Sequence, residues 1–292
     1  MTRIISHFDE ISDSYEVAYV DLWGCLHNGV APFPDAVRAL EKFRDKGGIV
    51  LLLTNSPRPK SSVEWQLDGL GVSRDLYHEV ATSGDSARAA LASGSFGQKV
   101  YHIGPERDLP FFEPSEFIPG LANIERVSLA QADSVVCTGL FDDQTETPED
   151  YAAILLNAKN RGLRMLCANP DLMVDLGHKR IYCAGAIAAA YTQRGGESLY
   201  FGKPHPPIYD LARNRLTALA GRVIPDKRII CIGDGINTDI RGALGEDLDS
   251  LFITGGLAAQ ETATDGQPNP EKLKSFLDSA QLTATYSMGH LR

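Results

Sequence analysis

Short apolar runs alternate along the chain with stretches whose apolar residues recur at helical spacing. Most runs end abruptly in a polar or glycine-containing turn. This alternation predicts the buried strands of a parallel sheet connected by helices. The predicted strands are 17–20, 49–53, 100–103, 134–138, 163–167, 198–201, 228–232 and 250–253.

Helical spacing is clear between the first two strands, where Val37, Leu40 and Phe43 repeat before Gly47 and Gly48 end the pattern. We therefore predict a helix at each stretch of this kind. The predicted helices are 34–46, 148–160, 184–193, 207–219, 238–244 and 270–279.

Four apolar runs lead into polar residues. Asp21 follows VAYV, Thr54 and Asn55 follow IVLLL, Lys203 follows SLYFG, and Asp234 follows RIICIG. A single Asp in such a place is most often a turn former or a helix cap. Ligands of an open parallel sheet, however, bind beyond the carboxyl ends of its strands. We therefore expect these side chains to meet at one rim and to form a phosphate-handling site.

Composition and charge narrow the class of protein. The chain has 292 residues, 43% of them hydrophobic and 23% charged, which is typical of a globular protein with two domains. Its formal net charge is −10 and it has no basic stripe, so we expect no nucleic-acid partner. A small anionic ligand is still compatible with this charge, because one local pocket can collect a metal ion, a lysine and backbone N–H groups.

The five cysteines are an odd number without a C-x-x-C pair, and most lie in apolar runs. They predict buried free thiols in a reducing cytosol. Residues 1–13 lack the apolar region of a signal peptide, and no apolar run approaches the ~20 residues of a membrane span. We expect a cytoplasmic protein with no membrane partner.

Four motifs together resemble the haloacid dehalogenase superfamily, in particular its class IIA branch of pyridoxal-phosphatase-like and nitrophenyl-phosphatase-like enzymes. They are VDLWGCLHNG (20–29), LLTNS (52–56), FGKPHPPIY (201–209) and IGDGINTDIRGA (232–243). The segment ANPDLMVD…GAIAAAY (168–191) is similar to the end of that branch's cap. The resemblance covers most of the chain.

The resemblance implies roles for the phosphate-facing residues. Asp21 would attack phosphorus and form an aspartyl-phosphate that water then cleaves, which divides one difficult displacement into two. Thr54 and Asn55 would hydrogen-bond phosphoryl oxygens. Lys203 would offset the charge that develops as two anions approach.

The resemblance also implies a magnesium site. Asp21, Asp234 and the backbone carbonyl of Trp23 would hold Mg²⁺ through oxygen atoms. Asp239 would orient these ligands from behind them or add a further carboxylate. A carboxylate in the first turn of a helix is also favoured by the helix dipole, so Asp239 has a second explanation.

Trp23 is a departure from the family. Active members usually carry Asp at this position, two residues after the nucleophile, where it protonates the leaving oxygen and later activates water. An indole can do neither, and a general acid–base group contributes about 10²–10⁴ in rate. Three explanations are open. The substrate has a leaving group that needs no proton, or His27 acts as the acid in place of the missing Asp, or the protein binds a phosphorylated metabolite without hydrolysing it. The Asn28-Gly29 turn makes an exposed His27 the simpler expectation. The D-x-W-G pattern defines a subgroup of class IIA relatives.

The sequence thus predicts a doubly wound α/β fold with a parallel sheet, the HAD-like core, and an inserted α/β cap of the C2 type. The core spans 1–83 and 196–292, and the cap spans 84–195. The predicted function is an Mg²⁺-dependent phosphatase for a small phosphorylated metabolite, a sugar or cofactor phosphate. The alternative is a catalytically weak binding protein. Homodimerisation is possible by analogy with related caps.

Other residues are weaker candidates. Met173 and His178 lie in the cap segment expected to face the site, and His205 is expected near its rim. Arg58 and Lys60 either add positive potential at the mouth or form the solvated start of a helix. The string GDGINT (233–238) resembles the start of a dinucleotide fingerprint, but it lacks the third glycine, which argues against an oxidoreductase.

Overall fold

The computed structural model of the protein describes residues 2–116, 118–177 and 179–292. Its strands are β1 Arg3–Ile4, β2 Val17–Val20, β3 Ile49–Thr54, β4 Glu79–Thr82, β5 Lys99–Ile103, β6 Glu125–Arg126, β7 Ser134–Cys137, β8 Arg164–Cys167, β9 Met173–Leu176, β10 Lys179–Tyr182, β11 Glu197–Tyr200, β12 Ile229–Gly233, β13 Asp249–Ile253 and β14 Tyr286–Met288.

The α-helices are α1 Pro34–Asp45, α2 Lys60–Gly69, α3 Ser83–Ala92, α4 Ala152–Asn160, α5 Ala184–Gln193, α6 Pro206–Ala220, α7 Arg241–Gly245 and α8 Pro270–Ala280. Short 3₁₀ helices lie at Phe8–Glu10, Ser12–Ser14, Arg74–Leu76, Glu106–Phe112, Pro119–Asn123, Leu129–Gln131, Pro148–Tyr151 and Asp226–Arg228. A π-helical turn, Ile236–Ile240, precedes α7.

The larger sheet has the order β1-β14-β13-β12-β2-β3-β4, and every pair of neighbours is parallel. Side chains alternate across its central strands. Val20 and Leu52 pack with α1 and α2 on one face, whereas Tyr19 and Leu51 pack with α6 on the other. Helices therefore cover both faces of a parallel sheet, which confirms the predicted doubly wound fold.

The smaller sheet has the order β11-β8-β7-β5-β6 and is also parallel. Residues of α4 and α5 pack on one face of it, and Ala87 and Leu91 of α3 pack on the other. The antiparallel hairpin β9–β10 lies between β8 and α5 along the chain. The sequence pattern did not predict this hairpin.

The pairing of β11 bears on the predicted cap boundary at residue 196. β11 pairs with β8, Glu197 opposite Arg164 and Tyr200 opposite Cys167, so it forms the edge of the smaller sheet. A strand that is hydrogen-bonded into a sheet belongs to that sheet's domain. We therefore propose that the cap runs from the start of α3 to about residue 201, and that the core resumes at Gly202.

All five cysteines are buried and none forms a disulfide, in agreement with the sequence. No helix among the described residues is long and apolar enough to cross a membrane.

Candidate active site

The register of the central strands explains why the predicted residues meet. Ile232 of β12 lies opposite Val20 of β2, and Val20 lies opposite Leu52 of β3. Asp21 and Asp234 directly follow β2 and β12, and Thr54 is the last residue of β3, so all three lie at the same edge of the sheet. All three are buried.

Lys203 reaches this edge from the segment between β11 and α6. Its ammonium group donates to Asp21 Oδ1 at 2.6 Å, to Asp239 Oδ1 at 2.7 Å and to the carbonyl oxygen of Leu53 at 2.9 Å. The side chain is 2% exposed. All three of its protons are thus used, and it joins the first and fourth motifs through one buried cation.

Negative charge exceeds positive charge at this edge. Asp21, Asp234 and Asp239 are all buried, with Lys203 bonded to two of them. Burial raises the pKa of Asp21 to about 7, against the opposing effect of Lys203 and with the help of Asp239. Burial also raises the pKa of Asp234 well above its usual range, and Asp21 and Asp239 add to this. Burial alone would lower the pKa of Lys203, yet the carboxylates of Asp21 and Asp239 raise it above its ordinary value.

This excess of buried carboxylates fits a divalent cation. Ligand atoms of Asp21, Asp234 and Cys25 lie within 4.8 Å of one another. Burial raises the pKa of the Cys25 thiol well above its usual value, so the sulfur stays protonated and two carboxylates are left as ligands. Oxygen donors alone suit a hard ion such as Mg²⁺.

Two glycines make room for Asp234. A Cβ atom on Gly24 or on Gly256 would lie 2.1 Å from Asp234 Oδ2. Gly24 also has a φ of +75°, a conformation that favours glycine. The backbone N–H of Leu257 donates to the same oxygen at 3.2 Å and fixes the carboxylate in place.

Asn55 lies at the predicted edge, but its side chain is already engaged. Its amide nitrogen donates to Asp171 Oδ1 at 2.8 Å and to the carbonyl oxygen of Lys203 at 3.1 Å, and its oxygen accepts from the Lys203 N–H at 2.7 Å. No donor of the Asn55 amide is left for a phosphoryl oxygen in this arrangement. The side chain instead ties the Lys203 backbone to the cap, which differs from the predicted phosphate contact.

Thr54 and Trp23 both line a cavity of about 270 Å³ together with Asp21. The hydroxyl of Thr54 accepts a hydrogen bond from the backbone N–H of Ser56 at 3.2 Å, so its own proton remains available to a ligand. The ring of Trp23 lies against Gly29, where a Cβ would come within 2.4 Å of it.

His27 does not lie on the surface as expected. It is 1% exposed, its ring stands 5.2 Å from the Trp23 ring, and its Nδ1 accepts from the Gly29 N–H at 3.0 Å. Burial lowers the pKa of His27 to about 4. His27 is therefore a neutral, buried support for Trp23, and it lines neither this cavity nor the next.

The 270 Å³ cavity, which we call the cap cavity, extends from Asp21 into the cap. Arg58 and Asp108 face each other in its wall, with Nε and Oδ1 3.4 Å apart, and Arg107 pairs with Asp143. Arg58 therefore faces the cavity, which agrees with the interpretation that it adds positive potential at the mouth of the site. Lys60, in contrast, starts α2 and pairs with Glu64 and Glu79, outside the cavity.

A second cavity, about 190 Å³, lies on the other side of Asp21, and we call it the metal-side cavity. Asp234, Asp239 and Met173 line it. His205 lies in a neighbouring apolar cavity that Asp234 also lines, with its ring stacked on Tyr200 at 5.0 Å. His178 falls outside the described residues.

Asp171 is a site residue that the sequence reasoning missed. Together with Asp21 and Trp23 it lines both the cap cavity and the metal-side cavity. Burial raises the pKa of Asp171 to about 6, against the opposing effects of Lys203 and Asn55. The signal was weak because Asp171 lies four residues beyond the last residue of β8, so it does not stand directly at a strand end.

Comparisons with known proteins agree with this geometry. Residues 18–117 match the haloacid dehalogenase-like hydrolase family and residues 200–279 match the HAD-hydrolase-like family. The 5′-nucleotidase YutF of Bacillus subtilis is 25% identical over 262 residues, which is 88% of this chain and 94% of that protein.

Two solved structures extend the comparison. A haloacid dehalogenase-like family hydrolase from Brucella suis 1330 is 39% identical, covers 99% of this chain and 100% of its own, and superposes with a TM-score of 0.86. The glycerol phosphate phosphatase Rv1692 of Mycobacterium tuberculosis, in complex with magnesium, is 25% identical, covers 87% and 71% of the two chains, and has a TM-score of 0.63. The protein thus belongs to the haloacid dehalogenase-like hydrolase family, and its relatives are of the class IIA type that its motifs resemble.

Proposed function

We propose that this hydrolase is an Mg²⁺-dependent phosphatase for small phosphorylated metabolites, with Asp21 as the nucleophile. The observation that carries the proposal is the joint contact of Lys203 with Asp21 and Asp239, beside Asp234. A buried ammonium that holds one carboxylate oxygen at 2.6 Å fixes the orientation of the other oxygen for attack.

Asp21, Asp234 and the carbonyl of Trp23 would hold the metal, and Asp239 would support Lys203. Bound there, Mg²⁺ would neutralise charge on the phosphoryl oxygens. The Thr54 hydroxyl would donate to one of these oxygens, while Asn55 would act indirectly, by fixing the Lys203 backbone. The metal ligands and the nucleophile are those that the family motifs imply, and the roles of Lys203, Asp239 and Asn55 are supported by their contacts.

The cap cavity suits a small, polar leaving group. Its wall holds two guanidinium–carboxylate pairs, Arg58 with Asp108 and Arg107 with Asp143, together with the hydroxyl of Thr138. These groups offer both donors and acceptors without a large net charge, as sugar or other polyol hydroxyls require. The relatives' names, a nucleotidase and a glycerol phosphate phosphatase, lie within this range.

The test is phosphate release from a panel of sugar, polyol and nucleotide monophosphates, with and without Mg²⁺. We expect turnover that chelation abolishes and added Mg²⁺ restores. Asp21→Asn should be inactive and Asp35→Asn, an exposed acid in α1, should equal the wild type. Full activity of Asp21→Asn, or equal turnover in the presence of chelator, would refute the proposal.

Trp23 supports a second candidate, a phospho-metabolite binding protein of the same fold. The indole stands where members of the family usually carry a carboxylic acid, and it cannot transfer a proton. On this hypothesis the wild type releases no phosphate, whereas Trp23→Asp does. Turnover by the wild type eliminates this candidate.

A further inference from the structure

Cleavage of an unactivated phosphate ester needs two proton transfers. The departing alkoxide must receive a proton, and the water that later cleaves the aspartyl-phosphate must lose one. The group that performs them must reach the oxygen that leaves phosphorus on the side away from Asp21. Neither Trp23 nor the neutral, buried His27 can supply this chemistry.

Most other acidic groups near Asp21 are already committed. Asp239 is bonded to Lys203 and to the backbone N–H of Gly235, and Asp234 accepts from Leu257 beside Asp21. In the cap cavity, Asp143 pairs with Arg107, and Asp108 lies 3.4 Å from Arg58 without a hydrogen bond to it. Neither Asp108 nor Asp143 lines the metal-side cavity. Of the acids that line both cavities, this leaves Asp171.

Asp171 is held in a defined position by local and long-range contacts. Its backbone N–H donates to Asn169 Oδ1 at 3.0 Å, and its carbonyl oxygen accepts from the Gly185 N–H at 3.1 Å. One carboxylate oxygen, Oδ1, accepts from the Asn55 amide at 2.8 Å. A Cβ on Gly185 would lie 2.5 Å from the Asp171 carbonyl oxygen, so the start of α5 packs directly against this turn.

We propose that Asp171 is the general acid–base of the reaction, supplied by the cap in place of the residue at position 23. This inference rests on the proposed phosphatase function. In the first step an oxygen of Asp21 bonds to phosphorus and the bond to the leaving oxygen breaks. The electron pair stays on that oxygen, which takes the proton of the Asp171 carboxyl group.

In the second step a water oxygen bonds to phosphorus and the bond to Asp21 breaks, so that Asp21 regains its electron pair as a carboxylate. The Asp171 carboxylate takes the proton from the water. Inorganic phosphate leaves, and both aspartates return to their starting states. One side chain therefore serves both steps with no net change.

The surroundings of Asp171 support this role. Burial raises the pKa of the carboxyl group to about 6, against the opposing effects of the Lys203 ammonium and the Asn55 amide, and Asp239 adds to the rise. On the core side the charged groups that face Asp171 are Asp21, Lys203, Asp234 and Asp239. In the cap, Asp175 lines the metal-side cavity with it, and the wall of the cap cavity adds Arg58, Arg107, Asp108 and Asp143. A pKa of this size leaves both the acid and the base form accessible near neutral pH, which general acid–base catalysis requires.

The decisive variant is Asp171→Asn, because an asparagine oxygen can still accept the hydrogen bond from Asn55. With an alkyl monoester such as glycerol phosphate, we expect phosphorylation of the enzyme to slow by about 10²–10⁴-fold. With p-nitrophenyl phosphate, whose leaving group needs no proton, we expect a burst of nitrophenol equal to the enzyme concentration. Slow turnover and an accumulated phosphoenzyme, visible by intact-protein mass spectrometry, should follow.

Asp68→Asn is the matched control, since Asp68 is also an aspartate in a hydrogen-bonded contact, with Arg74 at 2.7 Å, but is half-exposed and lines neither cavity. It should retain wild-type rates with both substrates. If Asp171→Asn slows phosphorylation of the enzyme equally with both substrates, Asp171 has a positioning role and the inference is overturned. The proposed function stands in that case. Unchanged rates in Asp171→Asn would also overturn it. If the wild type releases no phosphate from either ester, the proposed function itself fails.

Discussion

Lys203→Met tests whether the buried ammonium group that contacts the proposed nucleophile also stabilises the folded protein. The substitution keeps the length of an unbranched side chain and removes the ammonium group. It leaves Asp21 Oδ1, Asp239 Oδ1 and the Leu53 carbonyl without their donor, at contacts of 2.6, 2.7 and 2.9 Å. With only 2% of the Lys203 side chain exposed, water cannot readily replace it.

Removal of one partner from a buried ion pair typically costs about 3–5 kcal/mol, because the other charge remains buried and uncompensated. Asp21 can reduce this cost by taking up a proton, since its pKa is already raised to about 7 by burial. Without Lys203 the folded-state pKa of Asp21 rises further above its unfolded value, because Lys203 is the group that opposes the effect of burial. The folded state then binds more protons than the unfolded state, so the stability of the variant increases as pH falls.

We therefore expect the metal-free variant to lose about 3–5 kcal/mol of unfolding free energy at pH 8 and clearly less at pH 5.5. Urea titrations at the two pH values, without divalent cations, measure the loss of unfolding free energy and its dependence on pH. Mg²⁺ should then raise the melting temperature of the variant more than that of the wild type, because more negative charge is left to neutralise.

Lys274→Met is the matched control for this experiment. Among the described residues Lys274 pairs with the exposed Asp278 on α8 alone, and exposed pairs of this kind contribute about 0–1 kcal/mol. A Lys203→Met variant that is as stable as this control at pH 8, with the same pH dependence, would refute the reasoning.

Three further predictions concern the surrounding residues. Gly24→Ala should lose Mg²⁺-dependent turnover, measured by phosphate release, because its Cβ would lie 2.1 Å from Asp234 Oδ2; Gly47→Ala has a similar φ of +89° with nothing within 4 Å and should lose stability only. Asn55→Ala removes three hydrogen bonds that hold the Lys203 backbone and Asp171, and it should lower kcat at least tenfold, which is about 1.4 kcal/mol of barrier. An unchanged kcat would show that Asn55 does not position Lys203. His27→Ala should lower the unfolding free energy in urea titration by about 1–3 kcal/mol, because it leaves the Gly29 N–H without its acceptor and creates a cavity beneath the Trp23 ring. An unchanged unfolding midpoint would contradict this supporting role of His27.

Local pattern predicted much of the fold. The strand at 17–20 and the helix at 184–193 were predicted with their observed bounds, and the other predicted strands differ from the structure by one residue at one or both ends. These elements have strong apolar runs or strong helical spacing, so the burial that creates them is visible in the sequence. Strands β4 and β14 and helices α2 and α3 were missed because each contains few large apolar residues, too few to show a strand or helix period.

The same division holds at the active site. Asp21, Thr54 and Asp234 could be placed at one edge from sequence because each lies at the carboxyl end of an apolar run, and parallel strands end on the same side of a sheet. The start of the second domain could not be placed as well. The sequence of strand β11 is compatible with pairing in either sheet. Its pairing with β8 depends on tertiary packing, which the local pattern does not show.

By itself the sequence determined where the strongly apolar strands lie along the chain, the polar residues at their ends and the family that the chain resembles. Only the tertiary structure decided that Asn55 bonds to Asp171, 116 residues away, and that Asp171 shares two cavities with Asp21. The physical reason is that strand ends follow from local hydrophobic periodicity. A contact between the cap and the core depends instead on how two separately formed sheets pack together, and no local pattern records that.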